Sequence, residues 1–350
     1  MHLSPQSINT SCLNYYCIMV IDKSNMKQVL EDFPKQCREA MSLSEGMKVS
    51  GNFNKIMVCG MGGSAIGGDI LKAILKDKMP VYVIKEYDIP EFIDENTLVF
   101  AISYSGNTEE TLGALTKAKN QGACAVAISS GGQLVDMTDI VIKVPDGLQP
   151  RNAVGYLFFP MLAILHNSGI VNVSNKDLND LLKVISDTNY FDDKGKDIAR
   201  KIGDRAPVVY SSTVMEPCAY RLKCEVNENA KHPAFHHVFP EMCHNELVGF
   251  KGMERSKFLI LLIRNNTDHD RVKIRMDICK NLLSETVDVE EITAMGDSLL
   301  AKLFSVIYLG DWIGYHLAML NREDPTPVDV IENLKRALKQ WKRLFYWVYW

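Results

Sequence analysis

Between Lys55 and Val144, short apolar runs and helical patterns take turns, and this alternation narrows the possible folds more than any other feature of the chain. Lys55 to Cys59 reads as a strand and Asp69 to Lys76 as a helix. Val81 to Ile84 and Leu98 to Ile102 read as further strands, with a fourth run after Ala123 and a fifth at Ile140 to Val144. Strands separated by helical patterns imply right-handed βαβ crossovers, hence an α/β class with a doubly wound, mostly parallel sheet between two helical layers. Function in such sheets gathers in the loops at the carboxyl ends of the strands.

Two of those loops carry chemistry. Ser103-Tyr-Ser-Gly-Asn-Thr-Glu-Glu-Thr111 lies where a strand turns into the helical run Leu112 to Lys119. A helix start offers unpaired N–H groups and the positive end of its dipole, and hydroxyls add donors without charge, so the junction suits a phosphate. Ser103 or Ser105 could instead cap the helix, and Asn107 with Glu110 fits a capping box; these two are expected to be structural. The second loop is Gly60-Met-Gly-Gly-Ser-Ala-Ile-Gly-Gly-Asp69. Gly60, Gly62 and Ala65, with Glu86 after the next strand, also fit the opening of a dinucleotide fingerprint, which keeps a nicotinamide cofactor as a rival reading. Against it, Ser64 and the Ser103 loop form two phosphate-directed elements on neighbouring strands, as one phosphomonoester would need.

The rest of the chain sets limits. A helical run spans Ala153 to Ser168, and the polar stretch Ser174 to Gly195 reads as a connector holding one helix. From Ala206 the pattern repeats weakly: Pro207 to Thr213 echoes Ile56 to Ser64, and Phe258 to Ile263 echoes Leu98 to Ile102. Arg264-Asn-Asn-Thr-Asp-His269 replaces the hydroxyl loop there, so a phosphate is expected only in the first half. With 39 basic and 43 acidic residues spread without blocks, the net charge of -4 argues against nucleic acid. Nine cysteines without C-x-x-C pairs suit a reducing cytoplasm rather than a disulfide framework or a zinc site; Cys59 and Cys224 read as core. Met1 to Ile18 lacks signal-peptide character and is expected to be a disordered extension. Trp341 to Trp350, with six aromatics in ten residues, is too short to span a bilayer and reads as a helix end packed on a partner subunit.

Six motifs in this order resemble the bifunctional phosphoglucose/phosphomannose isomerases of archaea and bacteria, proteins built from two sugar-isomerase (SIS) domains. They are Gly60 to Asp69, Ser103 to Thr111, Pro150-Arg-Asn-Ala-Val-Gly-Tyr156, Asn227-Glu-Asn-Ala-Lys231, Pro240-Glu-Met-Cys-His-Asn-Glu246 and Asp324-Pro-Thr-Pro-Val328. The resemblance covers about residues 45 to 340. It implies SIS domains at 45–170 and 201–340 joined by a connector at 171–200; outside it, the helical pattern from Met26 gives an N-terminal helical segment at 19–44, and the aromatic tail takes up 341–350. The resemblance also implies interconversion of glucose 6-phosphate or mannose 6-phosphate with fructose 6-phosphate through an enediol, with no metal and no organic cofactor. The phosphate would bind at Gly63, Ser64, Ser103, Ser105 and Thr108. Glu228 would transfer the proton and Arg151 stabilise the enediolate. His244, supplied across a homodimer interface, and Lys335 would open the sugar ring, and Thr326 would lie near C2.

Bland readings stand beside these assignments. Glu228 could pair with Lys231 on a solvated helix face, a contact contributing about 0.2–0.5 kcal/mol. Glu225, three residues earlier, ranks below Glu228 as the base. Lys335 has Arg336 and Lys339 as competitors, and His244 is one of eight histidines, distinguished by Asn245 and Glu246. The alternatives to the isomerase are a sugar-phosphate-binding SIS protein without catalysis and an amino-sugar phosphate isomerase.

Overall fold

Two parallel sheets face a common helical centre in the computed structural model, which describes residues 20–345, with side chains to 340. The expected extension at 1–18 and residues 346–350 of the aromatic tail lie outside the described residues.

The first sheet takes the order β2-β1-β3-β4-β5 from β1 (Lys55–Cys59), β2 (Val81–Ile84), β3 (Thr97–Ile102), β4 (Cys124–Ser129) and β5 (Ile140–Lys143). Every pairing is parallel, as crossovers through α3 (Ile66–Leu75) and α4 (Glu109–Asn120) require. The second sheet, β7-β6-β8-β9, is parallel throughout and is built from β6 (Ala206–Ser212), β7 (Phe235–Phe239), β8 (Phe258–Arg264) and β9 (Asp288–Thr293). Its crossovers include α8 (Glu216–Ala230) and α9 (Asp270–Ser284). With β6 set on β1 and β8 on β3, the order of the second sheet repeats the first four strands of the first sheet. The faint internal repeat is therefore a repeat of topology.

Strand alternation divides the core. Ile56, Val58, Leu98, Phe100 and Ile102 face the centre, whereas Met57, Cys59, Val99 and Ala101 face an outer cluster under α4. In the second half Val209, Leu259, Leu261 and Ile263 join the same centre, while Val208, Tyr210, Ile260 and Leu262 form another outer cluster. Two helices apolar on all sides fill the middle: α5 (Val154–Asn167) and α10 (Leu299–Asn321). Length and composition would let α10 cross a membrane, but it is the buried axis of the fold. Phe304 of α10 lies 5.2 Å from Phe158 and 5.1 Å from Phe159 of α5, and Phe33 of the N-terminal helix α2 (Phe33–Ser42) stacks on it at 6.3 Å. The short α1 (Met26–Glu31) precedes α2.

The connector holds two helices where the sequence pattern suggests one. Ser174 accepts from the Asp177 N–H to start α6 (Asn175–Ile185), and Asp187 accepts from the Tyr190 N–H to start α7 (Thr188–Ile202). Leu181, Ile185, Phe191 and Ile198 put both helices into the shared core. Gly195 lets α7 approach α10, because a Cβ there would lie 2.6 Å from the Trp312 Cβ.

Candidate active site

The phosphate-directed loops meet at the carboxyl edge of the first sheet. Ser103 is buried, and its hydroxyl shares a 2.9 Å bond with that of Thr108. One bond between two hydroxyls leaves one hydrogen over for another acceptor. Ser64 Oγ accepts from the Tyr104 N–H at 3.2 Å, which likewise leaves its own hydrogen to donate. Ser105 is exposed and accepts weakly from the Asn107 N–H at 3.4 Å. Three hydroxyl hydrogens thus stay free beside the start of α4, one from the Ser103–Thr108 pair and those of Ser64 and Ser105.

The expected capping box at Asn107 and Glu110 is not formed. Thr108 is the N-cap, and no side chain caps this helix. Gly106, at φ 69°, turns the chain so that the Asn107 side chain reaches Ser105 O at 3.0 Å and accepts from Gln133 N–H at 3.1 Å. A Cβ at Gly106 would lie 1.7 Å from the Gly131 carbonyl oxygen, so the loop can close on its neighbour only with glycine there. Asn107 is structural as expected, but it ties loop to loop. The Lys85 end of β2 is also committed, since its ammonium pairs with Asp69 at 2.7 Å and lies 4.7 Å from the Tyr220 ring centroid.

Gly63 joins this cradle to the next element. A Cβ on it would meet the Arg151 backbone at 2.7 Å, so the glycine loop rests directly on the 150–153 turn. Arg151 is 3% exposed and its guanidinium is engaged on every side. Nε donates to Asn229 Oδ1 at 2.7 Å, and one terminal nitrogen donates to the carbonyls of Pro325 and Thr326 at 2.8 and 2.9 Å. The other terminal nitrogen lies 3.5 Å from Glu228 Oε2. Gly63, Arg151 and Glu228 line one crevice between the two halves, with Ile66 and Tyr220 among its walls.

Glu228 sits near the end of α8 with its side chain 27% exposed, within reach of solvent yet largely desolvated. Burial raises its pKa above the ordinary carboxylate range, the nearby Glu225 acts in the same direction, and Arg151 opposes both. It does not pair with Lys231, whose ammonium donates to the carbonyls of Asn229 and Asp324. The solvated-face reading of Glu228 therefore fails. Thr326 enters the site through its carbonyl on Arg151, and its N–H is held by Asp324 at 3.0 Å.

Two predicted residues stand apart from this cluster. His244 ends a short turn at 241–244, exposed, with no side-chain hydrogen bond among the described residues. Lys335 lies on α11 (Asp329–Phe345), 61% exposed, and pairs with Glu332 at 2.8 Å. Sequence reasoning missed Asn229 and the two carbonyls that orient Arg151; the asparagine lies within the Asn227 to Lys231 motif, but nothing local tells its partner.

Comparison with known proteins accords with this geometry. The model of the SIS domain matches residues 52–166, and that of the bacterial phospho-glucose isomerase C-terminal SIS domain matches 191–338. A bifunctional phosphoglucose/phosphomannose isomerase from Caldicellulosiruptor bescii is 38% identical over 338 residues, which span 91% of this chain and all of the relative. This chain belongs to that family. Its bifunctional isomerase relative from Thermoplasma acidophilum is 38% identical, with 84% of this chain and 93% of the other covered. Among solved structures, the C-terminal domain of glucosamine-fructose-6-phosphate aminotransferase from Francisella tularensis superposes with a TM-score of 0.69 at 17% identity, covering 87% of this chain and 98% of that one. As a member of the bifunctional isomerase family the protein is an enzyme, a sugar-phosphate aldose–ketose isomerase with two SIS domains. The dinucleotide reading of Gly60 to Ala65 is set aside, since that stretch falls within the SIS match.

Proposed function

We propose that the protein interconverts glucose 6-phosphate and mannose 6-phosphate with fructose 6-phosphate by proton transfer through an enediol. The observation that carries this reading is the buried Arg151 set 3.5 Å from Glu228 and packed on the glycine loop of the phosphate cradle. The substrate phosphate takes donors from Ser64, Ser103, Ser105 and Thr108 beside Gly63, fixing one end of the sugar. At the other end ionised Glu228 removes the C2 proton of the aldose and returns it to C1 of the enediol. The fixed positive charge of Arg151 offsets the negative charge developing on the enediolate oxygen, and its orientation is set before substrate arrives. Ring opening precedes this step and needs an acid–base pair at O1 and O5. We assign it to Lys335 and to the partner's His244, in a homodimer, which suits the exposure of both residues and their absence from the walls of the crevice at Arg151. Thr326 is placed near C2.

The boundaries 45–170 and 201–340 are retained as the two domains, with 19–44 and 171–200 as helical additions. A reducing cytoplasm is the proposed location, supported by seven free thiols among the described cysteines. The test is a coupled assay for glucose 6-phosphate and mannose 6-phosphate formed from fructose 6-phosphate, run with and without a chelator. Both products at rates the chelator leaves unchanged are expected. Neither product from folded protein would overturn the proposal, and loss of activity to the chelator would overturn its metal-free mechanism.

A further inference from the structure

Helix α8 carries two carboxylates three residues apart, and the one passed over as the base is the more deeply buried. Glu225 is 1% exposed. Its two oxygens go to different partners. Oε1 lies 3.2 Å from the Arg221 guanidinium, which also pairs with Asp311 of α10 at 2.9 Å. Oε2 accepts from the Asn229 amide at 2.8 Å, and the carbonyl of that amide accepts from Arg151 Nε at 2.7 Å. Only one orientation of Asn229 satisfies both neighbours, because a carboxylate cannot donate and a guanidinium cannot accept. Arg221 closes the circuit by donating to the Arg151 carbonyl at 2.8 Å. Space for it comes from Gly314 of α10, where a Cβ would lie 3.0 Å from Glu225 Cβ.

We infer that Glu225 and Asn229 are positioning residues of the isomerisation: Asn229 aims the Arg151 guanidinium at Glu228, and Glu225 both orients Asn229 and strengthens Glu228 as a base. This deepens the proposed function and rests on Glu228 being that base. A negative charge one helical turn away disfavours a second one, so Glu225 keeps the proton affinity of Glu228 high. On the opposite side Arg151, Arg221 and Lys223 favour the ionised form. Tyr220 and Cys224 also face Glu228 from α8, and the Asp69–Lys85 pair stands behind Tyr220. Behind Arg221 stands Asp311, whose pKa burial raises against the pull of the guanidinium it pairs with.

Three variants of the full-length enzyme test the inference, with kcat and KM for fructose 6-phosphate measured across pH and thermal unfolding recorded alongside. In Glu225→Gln the acid limb of kcat/KM should move to lower pH by about 0.5–1 unit, because a like charge has been removed. A purely structural role would leave the limb in place. In Asn229→Asp two carboxylates face each other, and kcat should fall about tenfold or more while KM stays within about twofold, the pattern of a lost transition-state contact. The swap Glu225→Gln/Asn229→Asp restores one amide and one carboxylate, each with a partner. Its kcat should return to within about threefold of the parent, a non-additivity expected of residues in direct contact.

An unmoved limb in folded Glu225→Gln would overturn the inference. So would a folded swap variant no better than Asn229→Asp. Should Glu225→Gln fail to unfold cooperatively, the swap decides, since its glutamine retains both hydrogen bonds. Glu228→Gln separates the two claims: activity retained there removes the base assignment itself, while loss of activity there together with an unmoved Glu225→Gln limb removes only the positioning role.

Discussion

The two halves share a strand order and differ in the loops that leave β3 and β8. After β3 the chain leaves a ring of hydroxyls beside the start of α4, with hydrogens to spare. After β8 the equivalent loop closes on a carboxylate of its own. Asp268 Oδ1 accepts from Ser212, at the end of β6, at 2.7 Å and from Asn265 at 2.9 Å. Burial raises the pKa of Asp268, and these two hydrogen bonds act against the rise. The second half thus commits donors to an anion it carries itself, whereas the first half leaves hydroxyl hydrogens free, for an incoming phosphate on the proposed function. On the proposed function, the difference between the halves comes down to one loop residue type: in the second a buried aspartate occupies the place that glycine and serine hold in the first.

The sharpest way to break the comparison is at the base. Glu228→Gln is expected to lower kcat about 10²–10⁴-fold with little change in binding of a substrate analogue, since general base catalysis is worth that much. The parent enzyme should also lose kcat/KM on acidification at a pH above the ordinary carboxylate range. Its raised pKa means that Glu228 takes up its proton earlier as pH falls, and only the ionised form acts. A limb near pH 4, the ordinary carboxylate value, would contradict the desolvated site.

Gly63→Ala comes next. Its Cβ would lie 2.7 Å from the Arg151 backbone, and the shift of about 1 Å needed to relieve that contact is expected to cost about 10²-fold in kcat, read by steady-state kinetics. Ser105→Ala should raise KM about 10- to 100-fold with kcat nearly unchanged, because one hydrogen bond to a charged group contributes about 1.5–3 kcal/mol. In the other half, Ser212→Ala should leave KM alone and lower stability by about 1–3 kcal/mol, the cost of removing one of the two donors to a buried carboxylate oxygen, measured by denaturant unfolding. A KM effect from Ser212, or a stoichiometry of two substrates per chain by calorimetry, would dissolve the distinction between the halves.

How much of this the sequence discloses depends on where the determining contacts lie. The first-half strands read as short apolar runs between helical patterns, so Lys55–Cys59 and Val81–Ile84 match the expectation residue for residue. Strands β7 and β9 escape notice because they are half-exposed edge strands, rich in His and Glu. The hydroxyl loop is legible because its signal is local, a row of hydroxyls before a helix. The engagement of Arg151 is not: its partners Asn229, Pro325 and Thr326 lie between 78 and 175 residues away. The burial of Glu225 is equally hidden, since it depends on Gly314 and Asp311 of a helix whose uniform apolarity gives no face to read.

The side chains of that helix, α10, complete the apolar interior of both sheets at once, together with α5, α6 and α7. Neither half could be excised as a free-standing module, because each would present to water the surface it now shares. A chain cleaved near residue 170 is instead expected to persist as two complementary fragments, held by the shared core and by the hydrogen bonds of Arg151, copurifying and melting together although no peptide bond joined them.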